Sequence, residues 1–231
     1  MEVGPMTTIR VWDLPLRLFH WLLVLLVLTS AITGQFSADL GPWAARWHPL
    51  SGYAILSLLI FRLLWGFVGG SHARFASFIR GPRAVIAYAQ EILGRRPARL
   101  HAGHNPLGGW SVLSMLGSLC LQVGCGLFLA DEDLGIEGPL AKYVSGQTGD
   151  LLATIHQFNF YLLLALIASH LAAIAFYWLA KGDNLVKPML NGNKEVAAEH
   201  ADAAGRGGHW AAGLLVLLLA VGVVWLIVNR L

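Results

Sequence analysis

Five apolar stretches dominate the chain, at about residues 16–34, 49–68, 107–130, 151–180 and 210–228. Each is near or above the roughly 20 residues that a helix needs to cross a bilayer. Only 13% of the residues are charged and 56% are hydrophobic, whereas a soluble domain carries about 25% charged residues. Much of the surface therefore faces something other than water. The first stretch follows Arg10 and Arg17 and so has the outline of a signal peptide. Four similar segments follow it and a histidine stands at its start, so it reads as an uncleaved first span. The expected fold is all-α, an integral membrane four-helix bundle over residues 1–190. Residues 191–208 read as a polar, small-residue cytoplasmic linker, and residues 209–231 as an additional C-terminal transmembrane helix.

Basic residues orient the spans. Arg10 and Arg17 precede span 1. Arg74, Arg80, Arg83, Arg95, Arg96 and Arg99 lie between spans 2 and 3, and Lys181, Lys187, Lys194 and Arg206 between spans 4 and 5. The other side holds Arg46, Lys142 and Arg230, which makes three against twelve, with Arg62 inside span 2. The positive-inside rule then places the N-terminus in the cytoplasm and the C-terminus in the periplasm of a bacterial inner membrane. The acidic run Asp131-Glu132-Asp133 after span 3 does not oppose this. Nine tryptophans, many near span ends, suit a protein with rings at a membrane–water boundary. Trp21, Trp43, Trp47 and Trp65 read as interface anchors or packing rings. Residues 83–93 form a candidate amphipathic helix at the inner surface, ended by Gly, Arg and Pro at 94–97. The net charge of +3, spread over loops and not interleaved with aromatics, is no nucleic-acid footprint.

An imidazole in hydrocarbon is costly unless it has a partner, so intramembrane histidines call for a function. His156 and His170 lie 14 residues apart on span 4. At 100° per residue they share a face, about 21 Å apart along the axis. His20 starts span 1 on the inner side, and His48 starts span 2 on the outer side. Span 4 descends, so His156 is outer and His170 inner. Depth matching yields two pairs, His20 with His170 and His48 with His156, which is what two bis-imidazole haems inside a bundle require. Structural zinc wants four ligands at one point, and these residues fall in two layers. Cys120 and Cys125 are poorly placed to bond each other, and no Cys-x-x-Cys-His is present for covalent c-type haem. Gly34 falls 14 residues after His20, where it either admits a porphyrin to the backbone or ends the helix. His72, His101, His200 and His209 read as solvated loop residues.

Several motifs carry a resemblance. Val11-Trp12-Asp13-Leu14-Pro15 followed by Arg17-Leu18-Phe19-His20-Trp21 opens the series, with His48-Pro49-Leu50-Ser51-Gly52-Tyr53 and Phe61-Arg62-Leu63-Leu64-Trp65-Gly66 after it. Ala73-Arg74-Phe75, Gly103-His104-Asn105-Pro106-Leu107-Gly108, Gly138-Pro139-Leu140, Asn184-Leu185-Val186 and Pro188-Met189 continue it. Over about residues 9–195 the chain resembles bacterial di-haem cytochromes b, the family that includes the cytochrome b subunits of nickel–iron hydrogenases and formate dehydrogenases. The hydrogenase branch is the nearer. The resemblance implies two haem b groups on the same four histidines. It also implies electron exchange between quinone and a redox partner, a hydrogenase-type subunit or a c-type cytochrome, on the outer face.

Arg62 has two readings: its guanidinium snorkels to the interface, or its planar fork meets a haem propionate. His104 and Asn105, at the inner entrance of span 3, are candidate donors to a quinone headgroup. The plainer reading of Asn105 is helix capping ahead of Pro106. The expected function is a membrane electron-transfer subunit. Two other classes remain open: a stand-alone quinone-linked oxidoreductase acting on a small redox substrate, and a haem-free transporter or anchor with the histidines as a proton relay.

Overall fold

The computed structural model describes residues 5–93, 102–131 and 135–230. In chain order, strand β1 (Met6–Arg10) leads into α1 (Leu14–Gln35), the short α2 (Ser37–Leu40) and α3 (Pro42–Val68). Then come α4 (Phe75–Phe78), α5 (Pro82–Leu93), α6 (Pro106–Gly126) and a small hairpin of β2 (Ala130–Asp131) and β3 (Ile136–Glu137). Next are α7 (Gly146–Lys181), α8 (Val186–Asn191), β4 (Asn193–Ala197) and α9 (Trp210–Arg230), with 3-10 turns at Ala141–Tyr143 and Ala198–Ala203. Among the described residues, α1, α3, α6, α7 and α9 are long and apolar enough to cross a membrane. The chain is an all-α, multi-pass membrane helical bundle with little sheet.

The helices outrun the hydropathy in places. Helix α3 starts at Pro42, earlier than the expected residue 49, so His48 lies well inside it and Pro49 is an interior residue. Proline suits a helix's first turn because its missing N–H would have no partner there. Helix α7 starts at Gly146 on a polar first turn that Ser145 supports by accepting Thr148 N–H at 3.3 Å. Span 3 was expected to reach residue 130. Helix α6 stops at Gly126, and the chain turns into the β2–β3 hairpin, where Gly138 N–H and Leu140 N–H bond the Leu129 and Leu127 carbonyls. The amphipathic helix is α5. Its expected stop at 94–97, His101, and Glu132 and Asp133 lie outside the described residues.

The chain forms two compact units, and the long helices contribute residues to both. One comprises Met1–Leu18, Leu63–Ser114 and Ala168–Gly213, the other Phe19–Arg62, Met115–Ile167 and Leu214–Leu231. In the first, the segment read as a linker is ordered: β4 pairs antiparallel with β1, Met6 opposite Ala197 and Arg10 opposite Asn193. Ile9 and Val196 are buried by this pairing. Gly192 adopts φ +88°, and its carbonyl accepts both Val11 N–H and Trp12 N–H. The second unit sets polar residues within a largely apolar interior and turns large apolar side chains outward. Ser51, Ser57, Ser118 and Asn159 are buried, while Leu25, Phe158 and Leu218 are exposed. Lipid is as apolar as leucine, so burying leucine gains little there. Small residues and interhelical hydrogen bonds hold the helices instead.

Candidate functional site

Two of the four span histidines meet within the second unit. The rings of His48 (α3) and His156 (α7) have centroids 6.3 Å apart and planes at 73°. His48 Nδ1 donates to the Ser30 carbonyl of α1 at 3.0 Å, and His156 Nδ1 donates to the Gln122 carbonyl of α6 at 2.9 Å. A carbonyl oxygen can only accept, so each contact fixes the Nδ1–H tautomer and leaves the Nε2 lone pair as the ligating position. Both rings line a cavity of about 440 Å³ whose other walls include Val27, Tyr53, Leu119 and Phe160. That size falls within the roughly 300–1,000 Å³ usual for cofactor sites.

Glycines make room for the rings. A Cβ on Gly34 would stand 2.9 Å from His48 Cε1, and one on Gly126 would stand 3.4 Å from His156 Cε1. Gly34 thus admits an imidazole of the neighbouring helix, a role different from both sequence readings. Gly52, one turn after His48, lines the cavity with open space where its Cβ would be.

His20 stands on α1 in the second unit and His170 on α7 in the first. Arg62 is only 2% exposed. A snorkelling side chain lays its stem along apolar surface with its head in water, and Arg62 does not reach water in this way. Trp65 is not an interface anchor either: it is fully buried and its Nε1 donates to Asp13 at 3.3 Å. Trp43 and Trp47 are exposed and pack on each other, with Arg46 over the Trp47 ring.

In the first unit, Asn105 caps α6: its Oδ1 accepts Gly108 N–H at 2.7 Å. Its Nδ2 donates to the Tyr177 hydroxyl at 2.9 Å, which lies 2.6 Å from the Tyr88 hydroxyl. His104 is packed between Trp12 and Phe78, with centroids at 4.8 and 4.6 Å. His72, expected to be solvated, also packs edge-on against Trp12 and bonds the Ala203 carbonyl at 3.1 Å. The sequence reading missed the role of Asp13. Buried at the start of α1, it accepts Leu16 N–H at 2.9 Å, Trp65 Nε1–H, Gly70 N–H at 3.1 Å and Gly208 N–H at 3.2 Å. The available signal was an acidic residue directly before a helix start.

Long apolar helices with an imidazole pair lining one cavity define a multi-pass membrane protein with a half-buried nitrogen-donor site. The chain belongs to the prokaryotic cytochrome b561 family, whose profile matches residues 11–192. It is accordingly a membrane b-type cytochrome, a haem b protein of electron transfer; α9 lies beyond the matched residues. Among similar proteins is a probable Ni/Fe-hydrogenase B-type cytochrome subunit of Azotobacter chroococcum mcd 1, 25% identical over 83% of this chain and 90% of the relative. Another, from Rhizobium leguminosarum bv. viciae, is 24% identical over 81% and 89%. The probable Ni/Fe-hydrogenase 1 B-type cytochrome subunit of Escherichia coli (strain K12) is 21% identical over 79% and 88%.

Proposed function

We propose that this chain is a di-haem subunit that passes electrons between quinone in the bacterial inner membrane and a redox partner docked on the outer face, a nickel–iron hydrogenase ahead of a c-type cytochrome. The observation that carries the proposal is the His48–His156 pair. Two imidazoles sharing one metal, each about 2 Å from it, hold their centroids about 6 Å apart. The observed 6.3 Å fits, as do the two Nδ1–H tautomers and the apolar cavity beside them. The hydrogenase partner is supported by the names of the relatives.

When bound, haem b supplies a one-electron iron couple. The residues of the chain hold and insulate it. His48 and His156 present Nε2 in a fixed tautomer beside a mostly apolar lining. Pairing His20 with His170 for a second, inner haem rests on matched depth in the sequence. Arg62, buried as a cation on α3, is the proposed propionate partner. At the inner boundary, His104, packed between Trp12 and Phe78, and Asn105 are the proposed donors to a quinone headgroup. The excess of Lys and Arg places the N-terminus in the cytoplasm and the C-terminus in the periplasm.

Haem content and reduced-minus-oxidised spectra of the purified protein test this. Two haems per chain are expected, with one lost in His48→Ala and in His156→Ala. Retention of both haems in either variant overturns the ligand assignment.

A further inference from the structure

Two polar residues inside the spans are not ligands, yet they stand in matched positions. Ser51 lies three residues after His48 on α3, and Asn159 lies three residues after His156 on α7. On a helix that spacing brings both side chains to one face. Ser51 Oγ meets Ser30 Oγ at 2.6 Å, and Ser30 is the residue whose carbonyl takes His48 Nδ1–H. Asn159 Nδ2 donates to Gln122 Oε1 at 2.7 Å, and Gln122 is the residue whose carbonyl takes His156 Nδ1–H. Four residues further on each accepting helix comes the glycine that clears the ring, Gly34 after Ser30 and Gly126 after Gln122. One arrangement thus occurs twice, on α1 with α3 and on α6 with α7. A histidine and the residue three positions on grip a single residue of the neighbouring helix at two points.

Ser51 Oγ donates its one hydrogen to the His48 carbonyl at 2.9 Å and so accepts from Ser30 Oγ; the directions at Asn159 follow in the same way. The Ser118 carbonyl can only accept, and Asn159 Nδ2 donates to it at 2.9 Å, while Asn159 Oδ1 accepts from Ser118 Oγ at 2.9 Å. The second Nδ2 hydrogen is then directed to Gln122 Oε1. Asn159 is 4% exposed, and breaking such a buried network leaves polar groups without compensation.

We propose that Ser51 and Asn159 are positioning residues of the His48–His156 site, each locking the residue whose carbonyl takes the histidine Nδ1–H. This inference rests on the ligand reading above. A hydrogen bond at Nδ1 makes the imidazole a more basic ligand through Nε2, which favours the oxidised iron. The positions three after His20 and His170 are Leu23 and Ala173. Neither side chain can bond in this way, so the effect belongs to one haem of the two.

The test uses the full chain carrying Ser51→Ala, Asn159→Leu, both together, or Ser51→Thr, in potentiometric titrations followed at the haem absorption bands and by electron paramagnetic resonance. Both haems are expected to stay bound. One midpoint should move to higher potential in each single variant and further in the double, while Ser51→Thr, which keeps the hydroxyl, returns toward the parent value. Parent midpoints and resonance lines in Ser51→Ala overturn the proposal. This holds even where Asn159→Leu loses a haem, because both residues then act only in packing. Retention of both haems in His156→Ala, by contrast, overturns the ligand reading itself.

Discussion

His48 and His156 hold their rings at 73° to each other, each turned by a hydrogen bond to a carbonyl of a different helix. Crossed imidazole planes leave the low-spin ferric d orbitals nearly degenerate, whereas parallel planes split them. One of the bound haems is therefore expected to give a strongly axial, low-spin ferric resonance signal. Rhombic spectra from every haem in the oxidised protein would contradict this geometry.

Gly34 and Gly126 provide a graded test of ring clearance. A Cβ at Gly34 would stand 2.9 Å from His48 Cε1, too close to remain without movement. At Gly126 the corresponding distance of 3.4 Å is an ordinary contact. Gly34→Ala should lower haem occupancy and cost about 1–3 kcal/mol, as overpacking does. Gly126→Ala should retain the parent haem-to-protein ratio. Equal ratios in the two variants would show that ring clearance does not limit occupancy.

Asp13 ties together the start of α1, Trp65, Gly70 and Gly208. Asp13→Ala leaves several buried donors without an acceptor and removes a helix cap, at a cost of about 2–4 kcal/mol. Thermal unfolding of the purified protein should show a clear drop, smaller in Asp13→Asn, which keeps one acceptor oxygen. An unchanged midpoint in Asp13→Ala would refute the importance of this junction.

Tyr88 lies on α5, outside the spans. Burial, then the hydrogen bond and charge of Tyr177, with Glu91 and Asp183 beyond, push its phenol well above the ordinary value of 10.0. The folded state thus keeps a proton that the unfolded chain releases, so stability must fall as pH rises above about 10. Ultraviolet titration should show a late-ionising phenol that is missing in Tyr88→Phe. The same variant should lose stability less steeply at alkaline pH. If all phenols ionise together near pH 10, the burial argument fails.

The sequence by itself determined the solvent and the number of spans, because apolar length and charge deficit are local properties summed along the chain. It also set His48 and His156 at one depth, since helix rise converts spacing into height, and the structure brings those two rings together. The linker reading failed at β4 because the order there comes from β1, far away in sequence. The helix start at Gly146 was missed because its first turn is polar, and the one at Pro42 because Arg46 and His48 interrupt the apolar run behind it. Only the tertiary structure decided how the imidazoles are held. Their acceptors are the backbone carbonyls of Ser30 and Gln122, and every residue carries a carbonyl, so no letter in the sequence marks the ones that matter. The structure also assigned Gly34 to a ring on another helix and buried Arg62 in protein, both consequences of what lies across a helix interface and not along the chain.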